Sequence, residues 1–391
     1  MLSYQQALNK IISLAKKKII SIPISKSFGY IAAKDIYSKK DNPSYNNSLL
    51  DGYAVKSKDV KKNKVLSIIG SLAAGQHKKI TYTNNSCIQI ATGCPILHPY
   101  DAMIPYEQTI KVGSTITCKT NVRAFENVRK KGSDYKKNSL IFKKGTLINP
   151  QHLLAAKTMG AATIKVYEKP KIVLFCSGDE ITENPHNTKK VINGMQDYIK
   201  SFQHIYNFDY EYLGIVRDNQ NDLKKIYKKL QNSSGNTIII STGGVSAGHK
   251  DFIPSMLQKH KYKIIFHKML MQPGRPTLFA TRNTNYYFGL PGNPISGIVG
   301  FHFLIIPLLQ SILGRKNVQW KNGILTKSYN KNKKLTLFLR ATNLGNKIII
   351  LPGQQSYKIS TLVRANCWVM LDQKKRLVNK GEKVKYFTYE N

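Results

Sequence analysis

Apolar positions along the chain change period several times, and each change marks an element. Ala7, Leu8, Ile11, Ile12 and Ala15 recur at helical spacing, and Ser3 with Gln6 forms a capping box that opens this helix. Across residues 41–145 the pattern breaks into short β-rich pieces (Val65–Ile69, Cys87–Ile90, Ile116–Lys119) separated by Gly, Asn and Pro turns. Asn149 at a cap, Pro150 in the first turn and Gly160 past the end predict a helix through Met159. That helix returns to the first module, so the β-rich segment reads as an insertion.

From Lys169 short apolar strands alternate with helices. Strands are expected at Lys171–Cys176, Tyr212–Val216, Thr237–Ser241 and Tyr286–Leu290, with helices near Asp222–Leu230 and Asp251–Lys259. This alternation predicts a parallel sheet covered on both faces. Ile295–Leu313 is nearly all apolar, but His302, Pro307 and Gln310 interrupt it, so it reads as a buried core helix rather than a membrane span. After Asn317 the pattern is β again, with a hairpin at Leu335–Ala341 and Lys347–Leu351 and a strand at Cys367–Leu371.

Composition adds a strong charge. The 391 residues carry 61 basic and 21 acidic side chains, a net +40. Such charge invites a nucleic-acid reading. The lysines are dispersed along the chain, however, and rise together with Asn, Ile and Tyr, as an A/T-rich base composition would produce. No specific nucleic-acid partner is therefore expected. Five cysteines form no C-x-x-C pair and no zinc spacing, which suggests free thiols in a reducing cytoplasm. Lysines interrupt the N-terminal apolar stripe, so it is no signal-peptide core.

Three expected strands end in glycine-rich turns: Ser177-Gly178-Asp179-Glu180, Gly243-Gly244-Val245-Ser246-Ala247-Gly248 and Pro291-Gly292-Asn293-Pro294. In a parallel sheet these ends share one rim, where ligands bind. Glycines let backbone approach an anion, and a helix N-terminus supplies unpaired N–H donors. Asp179, Glu180, Asp218 and Asp251 would repel a bare phosphate unless a hard cation such as Mg²⁺ sits between. The plainer alternative is that each turn is only a tight turn and that Asp179 and Asp251 cap helices. The inserted segment carries Asp51-Gly52-Tyr53-Ala54, Ala91-Thr92-Gly93 and Arg129-Lys130-Lys131-Gly132-Ser133-Asp134. Singly these are turn signatures and a solvated charge run.

Taken together and in order, these motifs, with Pro273-Gly274-Arg275-Pro276, make the chain resemble the molybdopterin molybdenumtransferase family, whose eukaryotic relatives include the C-terminal part of gephyrin. The resemblance covers nearly the whole chain. It implies a multidomain α/β plus β fold. Residues 1–40 and 140–168 would form a helical linker module and 41–139 an inserted β-rich module. A three-layer α/β molybdopterin-binding module would span 169–316, and a C-terminal β barrel 317–391. It also implies a cytoplasmic homodimer whose site is shared between subunits. The implied substrates are adenylyl-molybdopterin and molybdate, with Mg²⁺ as cofactor and a molybdopterin adenylyltransferase upstream. The reaction would insert molybdate into the dithiolene, hydrolyse the adenylate and release AMP.

By matching motifs, the resemblance assigns catalysis to Asp51, Glu180, Asp218 and Asp251, and metal binding to the last three. Substrate contacts would come from Thr92, Arg129 and Asp134; from Gly243, Gly244, Ser246 and Gly248; and from Lys268, Pro273, Gly274, Arg275 and Pro276. Pro291, Gly292, Asn293 and Pro294 follow, with Arg340 and Ser356 from the last domain. Some positions depart from the family pattern. Tyr198 and Ile199 follow Asp197 where two polar residues are usual, Gln272 stands where Lys commonly precedes Pro-Gly, and Leu49-Leu50 replaces Ala-Met. The α/β module alone also resembles molybdopterin adenylyltransferases and a nicotinamide-nucleotide deamidase-related family, but neither explains Asp51-Gly52-Tyr53-Ala54 or the terminal β domain. A catalytically weakened homologue, or a scaffold of the gephyrin kind, is the remaining alternative.

Overall fold

The computed structural model describes residues 1–388 except Ala74, 77–79, 218–221, 223, 225, 228–234, 245–252, 316–318 and 332–333. The chain forms two compact units: Met1–Ile20, Gly29–Ala33 and Lys165–Asn391 make the larger, Ser21–Phe28 and Lys34–Ile164 the smaller.

The larger unit is organised on a six-stranded sheet in the order Asp209–Val216, Lys171–Ser177, Thr237–Thr242, Asn285–Leu290, Leu278–Arg282, Lys263–His267. The first four strands are parallel, as the sequence predicts. Leu278–Arg282 runs antiparallel to Asn285–Leu290, and Lys263–His267 antiparallel to Leu278–Arg282, which is a correction: the sheet is mixed, with an edge that the sequence pattern did not separate from its neighbours. Side-chain alternation sends each strand's residues into two cores. Ile172, Leu174 and Cys176 join Ile238, Ile240, Tyr286 and Phe288 on one face. Val173, Phe175, Ile239 and Tyr287 face the other, against Ile253, Met256 and Leu257 of the helix Ile253–Lys259. Both faces are therefore covered, which explains why these strands are almost continuously apolar.

The first core also takes Tyr4, Ala7 and Ile11 of the helix Tyr4–Ser13, whose capping box is present as expected. It takes most of the apolar segment Pro294–Ile312 too, whose spanning-length window is 89% buried inside the protein. That segment is a core helix. Pro307 has no N–H to offer Phe303 four residues back; the Phe303 carbonyl instead accepts from the Tyr4 hydroxyl at 3.1 Å. The helix loosens to π geometry over Phe301–Ile305.

The C-terminal strands close on themselves. Thr336–Leu344 pairs with Lys347–Ile350, then Lys321–Leu325, Lys383–Thr388 and Cys367–Leu371 follow, and the last pairs back onto Thr336–Leu344. Among the described residues these five strands close into a barrel-like ring. Strand Met269–Gln272 joins its side in parallel through Met271 and Thr336.

In the smaller unit the β-rich segment forms a six-stranded sheet, ordered Ala102–Pro105, Gly52–Val55, Ser86–Ile90, Val65–Leu72, Thr115–Cys118, Thr109–Val112. Tyr53 and Val55 face one core and Ala54 the other. The helix Pro150–Thr158 belongs to this unit, with Asn149 accepting from the His152 N–H at 2.9 Å and Gly160 at φ 88° beyond its end. All five cysteines are free and buried.

Candidate functional site

Three groups of motif residues are brought together, two in the larger unit and one in the smaller. The first is the rim of the parallel sheet. Gly243 has φ 87°, its N–H donates to the Leu290 carbonyl at 2.9 Å, and a Cβ there would overlap the Ser177 carbonyl oxygen. A Cβ at Gly292 would stand 3.7 Å from the Gly243 Cα. The ends of three neighbouring strands thus converge, and at Gly243 only glycine permits the approach. Gly244 lies against Ile253 and faces the Ser177 hydroxyl. Asn293 and Pro294 open the long core helix, and Asn293 makes no side-chain capping bond.

Glu180 folds back against Gly178, with both carboxylate oxygens 2.7 Å from where a Gly178 Cβ would be. Its chemistry, a hard carboxylate beside glycine-rich turns, fits Mg²⁺. Asp218, Ser246, Gly248 and Asp251 lie outside the described residues, and among the described residues no group of three His, Cys, Asp or Glu converges on one point. Next to Gly178 a cleft of about 460 Å³ is lined by Asp179, Glu183, Lys190 and Arg217. Sequence reasoning missed the last three. Arg217 was detectable as the residue just past a strand end, whereas Glu183 and Lys190 carry no local signal.

The second group lies beside the barrel. Pro273, Gly274, Arg275 and Pro276 line a cleft of about 270 Å³ together with Ser296, Gln355 and Ser356. Gly274 has φ 101°, and its missing Cβ would sit 3.6 Å from the Ser296 carbonyl in the first turn of the core helix. The Met269 N–H donates to the Arg275 carbonyl at 2.9 Å, holding the turn. Lys268, at φ 70°, donates its N–H to Thr277 and stands outside the cleft wall, which begins at Met271. Arg340 is also outside it. Only 1% exposed, it donates to the carbonyls of Lys358 (2.7 Å), Gly353 (3.2 Å) and Gln355 (3.2 Å), and to Gln354 Oε1. Its geometry is that of a clamp on the loop bearing Ser356.

The third group occupies the smaller unit. Asp51 Oδ1 accepts from the Thr92 N–H at 2.6 Å and from the Thr92 hydroxyl at 2.8 Å. These bonds hold its carboxyl below the usual carboxylate range, the backbone bond first. Gly52 is required here, because a Cβ would overlap the Ile104 carbonyl. Asn47 and Ser48 tie the pieces together: Asn47 bridges Pro95 and pairs with Arg129, while Ser48 accepts from the Gly93 N–H at 2.9 Å. Asp134 accepts from Asn42 Nδ2 at 2.7 Å one turn further on. The residues after Asp197 serve packing: Ile199 is buried, and the Tyr198 hydroxyl lies 2.6 Å from His302 Nε2. Burial pushes His302 down to about 3.

Three family models match in succession. The MoeA N-terminal region (domains I and II) matches residues 2–160, a probable molybdopterin binding domain 173–311, and the MoeA C-terminal region (domain IV) 322–389. The molybdopterin molybdenumtransferase of Haemophilus influenzae is 30% identical over 367 residues, covering 90% of each chain. That of Staphylococcus epidermidis is 28% identical over 384 residues, 95% of this chain and 91% of its own. A crystal structure of a molybdopterin biosynthesis MoeA protein from Pyrococcus horikosii matches with a TM-score of 0.83 over the whole of both chains, at 26% identity. With motif order, fold and near-full-length similarity in agreement, the chain belongs to the molybdopterin molybdenumtransferases, transferases of molybdenum-cofactor biosynthesis.

Proposed function

We propose that the chain inserts molybdate into the dithiolene of adenylyl-molybdopterin, with hydrolysis of the adenylate and release of AMP. The observation that supports this most is the convergence of the Ser177, Gly243 and Gly292 backbones, with the Glu180 carboxylate against the adjoining Gly178. Such a rim suits a phosphate held by backbone N–H groups with a hard cation alongside. Glu180, with Asp218 and Asp251, would hold Mg²⁺. When bound, that ion would offset charge on the phosphate oxygens of the adenylate. Gly243, Gly244, Ser246, Gly248 and the Pro291–Pro294 turn would bind the phosphate end. Arg275 and Ser356 would meet an anion in the cleft beside the barrel, with Lys268 nearby and Arg340 setting the loop.

Asp51, Thr92, Arg129 and Asp134 would complete the site in a homodimer that shares it between subunits. Asp51 stays ionised there because Thr92 donates to it twice. The adenylylated substrate requires an upstream molybdopterin adenylyltransferase. Five free, buried cysteines favour a cytoplasmic setting. The +40 charge is read as dispersed surface lysine without a specific nucleic-acid partner.

The test is incubation of the protein with adenylyl-molybdopterin, molybdate and Mg²⁺ while AMP is followed. Molybdate-dependent AMP release is expected. A protein that binds the pterin but releases no AMP under these conditions would be the weakened or scaffold homologue instead.

A further inference from the structure

Ten of the described non-glycine residues have positive φ, and seven of them are asparagine. Asparagine tolerates this left-handed region, because its short side chain can hydrogen-bond locally; a bulky residue does not. Phe125, at φ 64°, is the one aromatic among the ten. It is the third residue of a turn closed by the Glu126 N–H on the Arg123 carbonyl at 3.1 Å. When φ is positive at that place in a turn, glycine or asparagine is the usual occupant.

The surroundings hold the turn in this shape. The Phe125 N–H donates to the Asp101 carbonyl at 2.8 Å, the Met103 N–H to the Glu126 carbonyl at 3.1 Å, and the Arg123 N–H to Glu126 Oε2 at 2.8 Å. None of these bonds involves the phenyl ring, and the ring is not core, since Phe125 is 44% exposed. Glycine would satisfy the same backbone with less strain, so the turn gives no reason for a phenylalanine. Strained positions that their surroundings over-determine cluster at ligand sites.

The turn stands beside the third motif group. The Leu49 N–H donates to the Asn127 carbonyl at 3.0 Å; Phe125 lies two residues before Asn127, and Asp51 two residues after Leu49. Leu49 and Leu50 are themselves exposed. On the other side of Asn127, Arg129 pairs with Asn47, and Lys130 sends its ammonium over the Phe125 ring, 4.4 Å from the centroid. That contact steadies the ring from one face. The result is an exposed flat apolar surface with two cations near it and, across the Leu49 bond, the Asp51 carboxylate that Thr92 holds.

A pterin presents matching chemistry. Its fused rings are planar and stack on an aromatic side chain. Its edge carries an oxo group that calls for a donor such as Lys or Arg, and an amino group that calls for an acceptor such as a carboxylate. We propose that Phe125, steadied by Lys130, is the stacking platform for the pterin ring of the substrate and so sets ring specificity. The inference rests on the molybdopterin reading above and adds to it a residue outside the family-matched motifs.

The test is fluorescence titration of the full chain with 6-hydroxymethylpterin, and separately with adenosine as a second planar ring, beside thermal melts and steady-state kinetics with adenylyl-molybdopterin. Wild type should bind the pterin. Phe125→Ala and Phe125→Gly should each weaken it roughly tenfold, the scale of one ring stacked on an aromatic side chain, while Phe125→Trp stays within about threefold. Adenosine affinity should not follow these changes. Phe125→Ala should raise KM by a similar factor and leave kcat unchanged, as loss of uniform binding does. Phe125→Gly should melt no lower than wild type, because glycine is unstrained at φ 64°; a ring needed only for folding would lose stability together with binding. The proposal is overturned if wild type does not bind the pterin, if Phe125→Ala binds it within about twofold of wild type, if that variant loses adenosine as much as pterin, or if Phe125→Gly melts below wild type. Wild type that binds the pterin through Phe125 but releases no AMP would leave the platform standing and remove the reaction; AMP release with pterin binding indifferent to Phe125 would do the reverse.

Discussion

Two clefts of the larger unit are built by different means. At the sheet rim the backbone itself does the positioning: strand ends meet because Gly243 has no side chain to hold them apart. Beside the barrel, the loop bearing Ser356 is held by buried side chains, Arg340 through three main-chain carbonyls and Thr361 through those of Pro352 and Gly353. The first construction is written into local sequence. The second exists only after strand Thr336–Leu344 and loop 351–358 have come together, so nothing near Ser356 announces it.

Breaking the rim should have the largest effect. In Gly243→Val a β-branched residue would need φ 87° and would overlap the Ser177 carbonyl. A loss of roughly 4 kcal/mol or more is expected in denaturant unfolding, if the variant folds at all. Breaking the other cleft should cost less. Arg340→Met keeps bulk but removes the guanidinium bonds to the Lys358, Gly353 and Gln355 carbonyls, the last two of which keep a second donor in the Thr361 hydroxyl and the Lys358 N–H, for a loss of roughly 2–3 kcal/mol. Limited proteolysis should then cut first at 351–358. Arg340→Lys keeps the charge without the planar fork and should recover only part of the stability.

A third perturbation reaches a helix that serves both clefts, since Pro294–Ile312 starts at the rim and contributes Ser296 to the barrel-side cleft. Its His302 is buried and held near 3, against an ordinary 6.5. Between these values the unfolded chain takes up a proton that the folded chain refuses, so stability must fall as pH falls from about 6.5 toward 3. His302→Gln should reduce that acid slope by one proton, measured by urea unfolding from pH 7 to 4. The smallest effect belongs to the smaller unit. Thr92→Ala should let the Asp51 carboxyl titrate closer to its usual range, visible by NMR, while leaving both clefts unchanged.

How much was legible follows the same division. Period and turn chemistry located the four parallel strands, the core helix and the barrel hairpin, because each rests on residues adjacent in sequence. The antiparallel pair Lys263–His267 and Leu278–Arg282 was not separated, since a short apolar run does not state its direction or partner. The glycine turns, Glu180, Asp51 and Thr92 were singled out through motifs, while the bond between Asp51 and Thr92 was not. Arg340 was read as a substrate contact, because an arginine near a site looks the same whether it faces ligand or backbone. Glu183 and Lys190 were missed, because they reach one cleft wall only once Ile181–Thr182 has paired with Val191–Ile192.

The most direct measurement of the central claim is AMP release by Glu180→Gln beside wild type, with adenylyl-molybdopterin, molybdate and Mg²⁺ and with thermal melts confirming both folds. Wild type should release AMP only when molybdate and Mg²⁺ are present, and the variant should be slower by roughly a hundredfold or more, as expected when a charged group beside the reacting phosphate is lost. Equal release by the variant, or undiminished release by chelator-treated wild type, would contradict the assignment of adenylate chemistry to this rim.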